Sequence, residues 1–105
     1  MSTHELKCWP QYFESVSEGI KTFEIRKDDR GYEVGDLLHL REYDNEDGKY
    51  TGNEVWCAVT YIARLNHLPS TIIPVLTEEP YVVMAIKVMM NIKWRKWLKD
   101  KLLFR

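Results

Sequence analysis

Cysteine is scarce in this chain: Cys8 and Cys57 are the 2 present in 105 residues. Two are too few for a disulfide framework, and their spacing matches no metal-binding pattern. Both lie beside apolar neighbours, as reduced cysteines packed as small hydrophobes do. Histidine is equally sparse. His4, His39 and His67 stand far apart without ligand spacing, so neither a metal nor a cofactor is expected. Glycine is thinly spread and builds no phosphate-cradling loop. No apolar run approaches a membrane span, and residues 1–7 hold no signal-peptide core. The expected location is therefore cytoplasmic. The formal net charge is −1, which gives no global field drawing in nucleic acid or an acidic surface.

What is present fits one globular domain with a real core, since 45% of residues are hydrophobic and 30% charged. The near-neutral total hides an asymmetry. Residues 93–105 carry Lys93, Arg95, Lys96, Lys99, Lys101 and Arg105 against Asp100, so the rest of the chain is acidic.

Periodicity supplies the elements. Residues 4–9 alternate as a short strand, and Pro10 suits the first turn of a helix, where its missing N–H costs nothing. Tyr12, Phe13, Val16 and Ile20 recur at helical spacing, and Gly19 can end the helix in the left-handed conformation. Residues 22–26 then alternate as a strand. Phe23 and Ile25 are expected to join the core, while Thr22, Glu24 and Arg26 are displayed on the other face with Lys21 nearby. Residues 37–43 form a strand with Leu38 and Leu40 inward and His39, Arg41 and Tyr43 on the opposite face. Asp47-Gly48 marks a hairpin, residues 54–65 a long strand, and residues 66–80 a loop packed down like a lid or a short helical turn. Residues 81–88 read as a buried closing strand. In residues 89–105, Met90, Trp94, Trp97, Leu98 and Leu102 line one face of a basic amphipathic helix. The expected class is α+β: a small mixed β-barrel of about five strands with one early helix and that C-terminal helix. The expected division is a barrel domain over residues 1–88 and the helix over 89–105.

Gly19, Lys21, Glu24 and Arg26 fit the pattern G-x-K-x-x-E-x-R, and in this the chain resembles the ASCH domains of the PUA-like superfamily. The likeness extends to His4-Glu5-Leu6-Lys7, Trp9-Pro10, Tyr12-Phe13, Val34-Gly35-Asp36, Leu40-Arg41-Glu42-Tyr43 and Tyr81-Val82-Val83-Met84. These look like a small ASCH-like family of unknown function from bacteria and phages. The resemblance covers roughly residues 4–88. It implies a PUA-like barrel whose cleft, beside the first helix, takes RNA or a nucleotide.

On that basis Lys21, Thr22, Glu24, Arg26, Trp9, His39, Arg41 and Tyr43 form the expected ligand-binding set. Lys21 and Arg26 suit phosphate oxygens, Glu24 a base amine or ribose hydroxyl, and Trp9, Tyr43 or Tyr61 a stacked base, although Tyr61 is better placed in the core. A plain structural account, in which Glu24 and Arg26 merely pair on a surface strand, stands beside this. So does catalysis. Some ASCH relatives hydrolyse acylated nucleosides with a lysine, a threonine nucleophile and a glutamate. Lys21 matches that lysine, but the threonine position is Glu24 here, and only Glu78 or Glu79 offer themselves as the glutamate. Lys21 and Glu24 would then be the catalytic pair, with Glu24 as general base; a ribonuclease variant would use Glu24 or His39 to move protons. The third class is an interaction module. Its basic residues Lys93, Arg95, Lys96, Lys99 and Lys101 would meet a protein or anionic surface, or residues 90–104 would pair in a homodimer.

Overall fold

The computed structural model describes residues 1–65 and 80–92. Runs of alternating Leu, Val, Tyr and Ile generate the strands β1 (Thr3–Cys8), β2 (Phe23–Lys27), β3 (Leu37–Asp44), β4 (Lys49–Arg64) and β5 (Tyr81–Ile92). One helix, α1 (Pro10–Ser17), interrupts them after β1. The strands form a single 5-stranded sheet in the order β1-β3-β4-β5-β2. β1 runs parallel to β3, and the other pairings are antiparallel. The sheet curls into a half-barrel whose edges are β1 and β2. Those edges share no ladder, so a seam remains between them.

The concave side holds the core. Leu6, Cys8, Leu38, Leu40, Val55, Cys57, Val59, Val82, Met84 and Ile86 face inward and meet Phe13 and Val16 of α1. Tyr32 closes one end at 1% exposure. Burial of each such side chain contributes on the order of 2 kcal/mol before conformational entropy is subtracted.

Helix α1 ends in a Schellman arrangement. Gly19 has φ 74°, its N–H donates to the Val16 carbonyl at 3.0 Å, and the Ile20 N–H donates to Ser15 at 2.9 Å. The Lys21 N–H shares that Ser15 carbonyl at 3.0 Å. This turn reverses the chain and delivers Lys21 to the start of β2.

Several expectations change. Phe23 and Ile25 are 43% and 54% exposed, whereas Glu24 is 3% exposed, so β2 presents the opposite face to the one expected. The register explains it. Glu24 sits opposite Met84, whose side chain points into the core, while Phe23 and Ile25 stand opposite Ala85 and Val83 on the outer face. Tyr61, expected in the core, is 66% exposed, and Tyr12 and Ile20, at the helical spacing of Phe13 and Val16, are 46% and 75% exposed. β4 begins at Lys49 rather than 54, reaching back along β3 past a bulge between Arg41 and Tyr43. That bulge sits beside Glu42, a buried carboxylate that accepts from Thr51 Oγ1 at 2.7 Å and Asn53 Nδ2 at 3.0 Å.

The C-terminal helix does not start at residue 89. Met90, Asn91 and Ile92 continue β5, because Trp56, Val55 and Glu54 of the long β4 offer them strand partners. The division at 88/89 therefore falls inside a strand. The rest of that segment, with Lys93, Arg95, Lys96, Lys99 and Lys101, lies outside the described residues, as do residues 66–79 with Glu78 and Glu79. Among the described residues no helix is long and apolar enough to cross a membrane.

Asp36 fastens the first strand. At 4% exposure it accepts from the Ser2 N–H at 3.0 Å, His4 Nε2 at 2.8 Å and the Glu33 N–H at 3.0 Å. The Ser2 N–H, then His4, hold its carboxyl below the usual carboxylate value, against the opposing effect of burial. A lowered carboxyl contributes stability that is complete above its unfolded pKa and lost as pH falls through the folded one. Asp36→Asn should cost roughly 2 kcal/mol at neutral pH. Its stability should also fall less steeply than the wild type's from pH about 5 to about 2 in urea titrations.

Candidate functional site: the seam between the edge strands

The seam widens beside α1 into a cleft of roughly 630 Å³. β1 supplies Lys7 and Cys8, the turn into α1 supplies Trp9, and α1 supplies Tyr12. The opposite wall is Lys21 with Phe23, Glu24, Ile25 and Arg26 of β2. This volume lies in the range of pockets that hold small molecules.

Glu24 organises the wall. Its Oε1 accepts from Lys21 Nζ at 2.9 Å and its Oε2 from Arg26 Nε at 3.0 Å. The carboxylate side chain is 4% exposed, while Lys21 and Arg26 remain 21% and 27% exposed. Arg26 also reaches across the seam, where Nη2 donates to the Lys7 carbonyl at 2.9 Å. One guanidinium thus ties the two sheet edges where main-chain pairing is missing. The three charged side chains sum to a single positive charge, and each cation has donors beyond those already engaged.

Aromatic rings form the rim. Trp9 and Tyr12, 48% and 46% exposed, stack with centroids 6.4 Å apart and planes at 20°. Lys21 Nζ lies 5.3 Å from the Tyr12 centroid and 5.2 Å from that of Phe23. Such cation–π contacts hold the ammonium over the cleft mouth. Cys8 lies at the floor, 3% exposed. Burial, helped by the Glu24 carboxylate, pushes its thiol up to about 12, so it is an inert wall and not a nucleophile.

Of the expected binding residues, the cleft gathers Trp9, Lys21, Glu24 and Arg26. Thr22 does not line it; its carbonyl accepts from the Ile86 N–H at 3.0 Å. His39, Arg41 and Tyr43 lie on the outer face of the sheet, since Leu38, Leu40 and Glu42 take the inner one. There His39 stacks on Trp56 at 4.1 Å and meets Glu54 at 2.8 Å, and Arg41 pairs with Glu5 at 2.8 Å. Tyr43 lies under Lys7 Nζ at 4.3 Å. The structure adds Lys7, Cys8, Tyr12, Phe23 and Ile25 to the cleft lining, of which Phe23 and Ile25 are expected in the core from the sequence. For Tyr12 a signal was present: it stands one helical turn beyond Trp9. No group of acidic, histidine and cysteine side chains able to hold a metal occurs among the described residues.

The class is thus a small half-barrel with a cationic, aromatic-rimmed seam between its edge strands. The chain belongs to the family described as a domain of unknown function, DUF3850, which matches residues 3–86. It is similar to an uncharacterized 12.9 kDa protein encoded in the GpA 3′ region of Escherichia phage P2, with 43% identity over 63 residues. That similarity covers 60% of this chain and 56% of the phage protein, so it spans little more than half the relative's length.

The buried carboxylate makes the wall a coupled unit. Glu24→Gln should lower stability by about 2 kcal/mol in urea unfolding, less than for a fully enclosed pair because both cations are partly exposed. Combining it with Lys21→Gln should cost clearly less than the sum of the two single changes.

Proposed function

We propose that the seam binds RNA or a nucleotide-sized part of it, as an ASCH-type, PUA-like domain. The observation that carries this reading is the cation pair. A carboxylate at 3% exposure holds Lys21 and Arg26 together inside a cleft whose rim is the Trp9–Tyr12 stack. Cations beside an open aromatic face suit the two halves of a nucleotide. The phosphate takes the ammonium and guanidinium donors, and the base stacks on the indole. The G-x-K-x-x-E-x-R pattern supports the same reading, because all its side-chain-bearing members fall on this wall. Its glycine is the one that closes α1 at φ 74°.

Hydrolysis is the weaker reading. Both Glu24 oxygens are engaged by cations at 2.9 and 3.0 Å and the side chain is 4% exposed, so little of the carboxylate is open to an attacking water. Thr22, the hydroxyl nearest in sequence, does not line the cleft. His39, the other candidate proton carrier, is on the far face of the sheet, stacked on Trp56.

The test is titration of a mixed-sequence RNA octamer, with mass spectrometry of the recovered RNA and of a panel of modified nucleosides. Lys21→Ala and Trp9→Ala should each weaken binding about tenfold or more, and Arg41→Gln, on the outer face, should leave it unchanged. Affinity should fall as salt rises, and the RNA should be recovered intact. Turnover that disappears in Glu24→Gln would instead favour the hydrolase. Loss of binding on Arg41→Gln with no effect of Lys21→Ala would move the ligand to the outer face.

A further inference from the structure

The seam continues past Arg26. A second hollow of roughly 220 Å³ is lined by Leu6, Arg26, Lys27, Asp29, Arg30 and Tyr32. Arg26 walls both hollows, so they are successive compartments of one groove along the gap between β1 and β2. The apolar part of the second compartment is tightly packed, with Leu6 at 5% and Tyr32 at 1% exposure. Its charged part holds Arg26, whose charge is shared with Glu24, together with Lys27 and Arg30 beside Asp29. That carboxylate neutralises little. Arg30 Nε lies 4.0 Å from it, with the two side chains 46% and 66% exposed, and such a pair is loosely held and screened by solvent. Arg26, in contrast, is fixed by Glu24 at 3.0 Å and by Lys7 at 2.9 Å, and serves as a rigid partition.

We propose that this second compartment is a phosphate subsite, and that the seam's ligand is therefore an oligonucleotide and not a free nucleoside. The base and its phosphate occupy the larger compartment. The phosphodiester to the adjoining residue lies against Arg30, with Arg26 between the two phosphates. This rests on the nucleotide-binding reading above and narrows its ligand class. A groove with cations in both compartments gains from each successive phosphate, whereas a single closed pocket gains from one.

The experiment is competition against a fluorescein-labelled, mixed-sequence RNA octamer by two pools, the four ribonucleoside 5′-monophosphates and the 5′-phosphorylated RNA dinucleotides. With wild-type protein the dinucleotide pool should compete about tenfold better. Arg30→Gln should bring the dinucleotides down to the level of the mononucleotides, and Arg30→Lys should keep part of the advantage. Octamer affinity in Arg30→Gln should also depend less on salt, by about 0.7 in the log–log slope. Arg30 is exposed and loosely paired, so these variants fold as the wild type does. Equal competition by both pools, or an advantage that survives Arg30→Gln, would overturn the proposal and leave nucleotide binding standing. An octamer that does not bind the wild type would overturn both.

Discussion

A single carboxylate inside the seam governs this molecule. Glu24 stands where a half-barrel would otherwise place an apolar residue, opposite Met84 and 3% exposed. A lone buried charge there would be costly, and two cations offset it. Lys21 arrives because Gly19 ends α1 in a left-handed turn and folds the chain back. Arg26 arrives because it is two residues along the same strand, hence on the same face. The open sheet edge, the helix end and the charged wall are therefore one construction.

That construction also explains why the sheet stays open. An edge strand ordinarily invites pairing, and main-chain closure between β1 and β2 would complete a barrel. Here Arg26 spans the gap to the Lys7 carbonyl by its side chain, and Trp9 and Tyr12 stand over it. The edges are held together without being zipped. What remains between them is a groove in which polar main chain, fixed cations and aromatic faces lie together. The outer face of the sheet carries its own ladder, His39 on Trp56 and Arg41 over Tyr50 at 3.8 Å. There Glu54 meets His39 and Arg41, and Glu5 meets Arg41.

Much of the fold was legible in the sequence, and its largest error is instructive. Alternation marked β2 as a strand and Leu38 and Leu40 as inward, and the conformational freedom of Gly19 marked the helix end. Alternation gives two faces, however, and does not say which one is inside. Hydrophobicity assigned Phe23 and Ile25 to the core, but the self-neutralising set Lys21, Glu24 and Arg26 took that side. The same reasoning put Lys21, Glu24, Arg26 and Trp9 in one expected set, and all four line the cleft. It placed His39, Arg41 and Tyr43 with them because it set the charged side chains of β2 on the outer face, whereas β2 turns them inward and leaves those three outside. β5 outran its expected end because Trp56, Val55 and Glu54 of β4 give Met90, Asn91 and Ile92 strand partners, and these outweigh local helical spacing.

The most direct test of a ligand-binding seam is a nitrogen–proton NMR titration with the mixed-sequence RNA octamer, following the Arg26 side-chain Nε–H, the Trp9 indole N–H and the backbone amides. The account predicts that shifts concentrate on Trp9, Tyr12, Lys21, Glu24 and Arg26, while His39, Trp56 and Arg41 on the outer face stay in place. Shifts centred on the outer face, with the Arg26 and Trp9 signals unmoved at saturation, would contradict it.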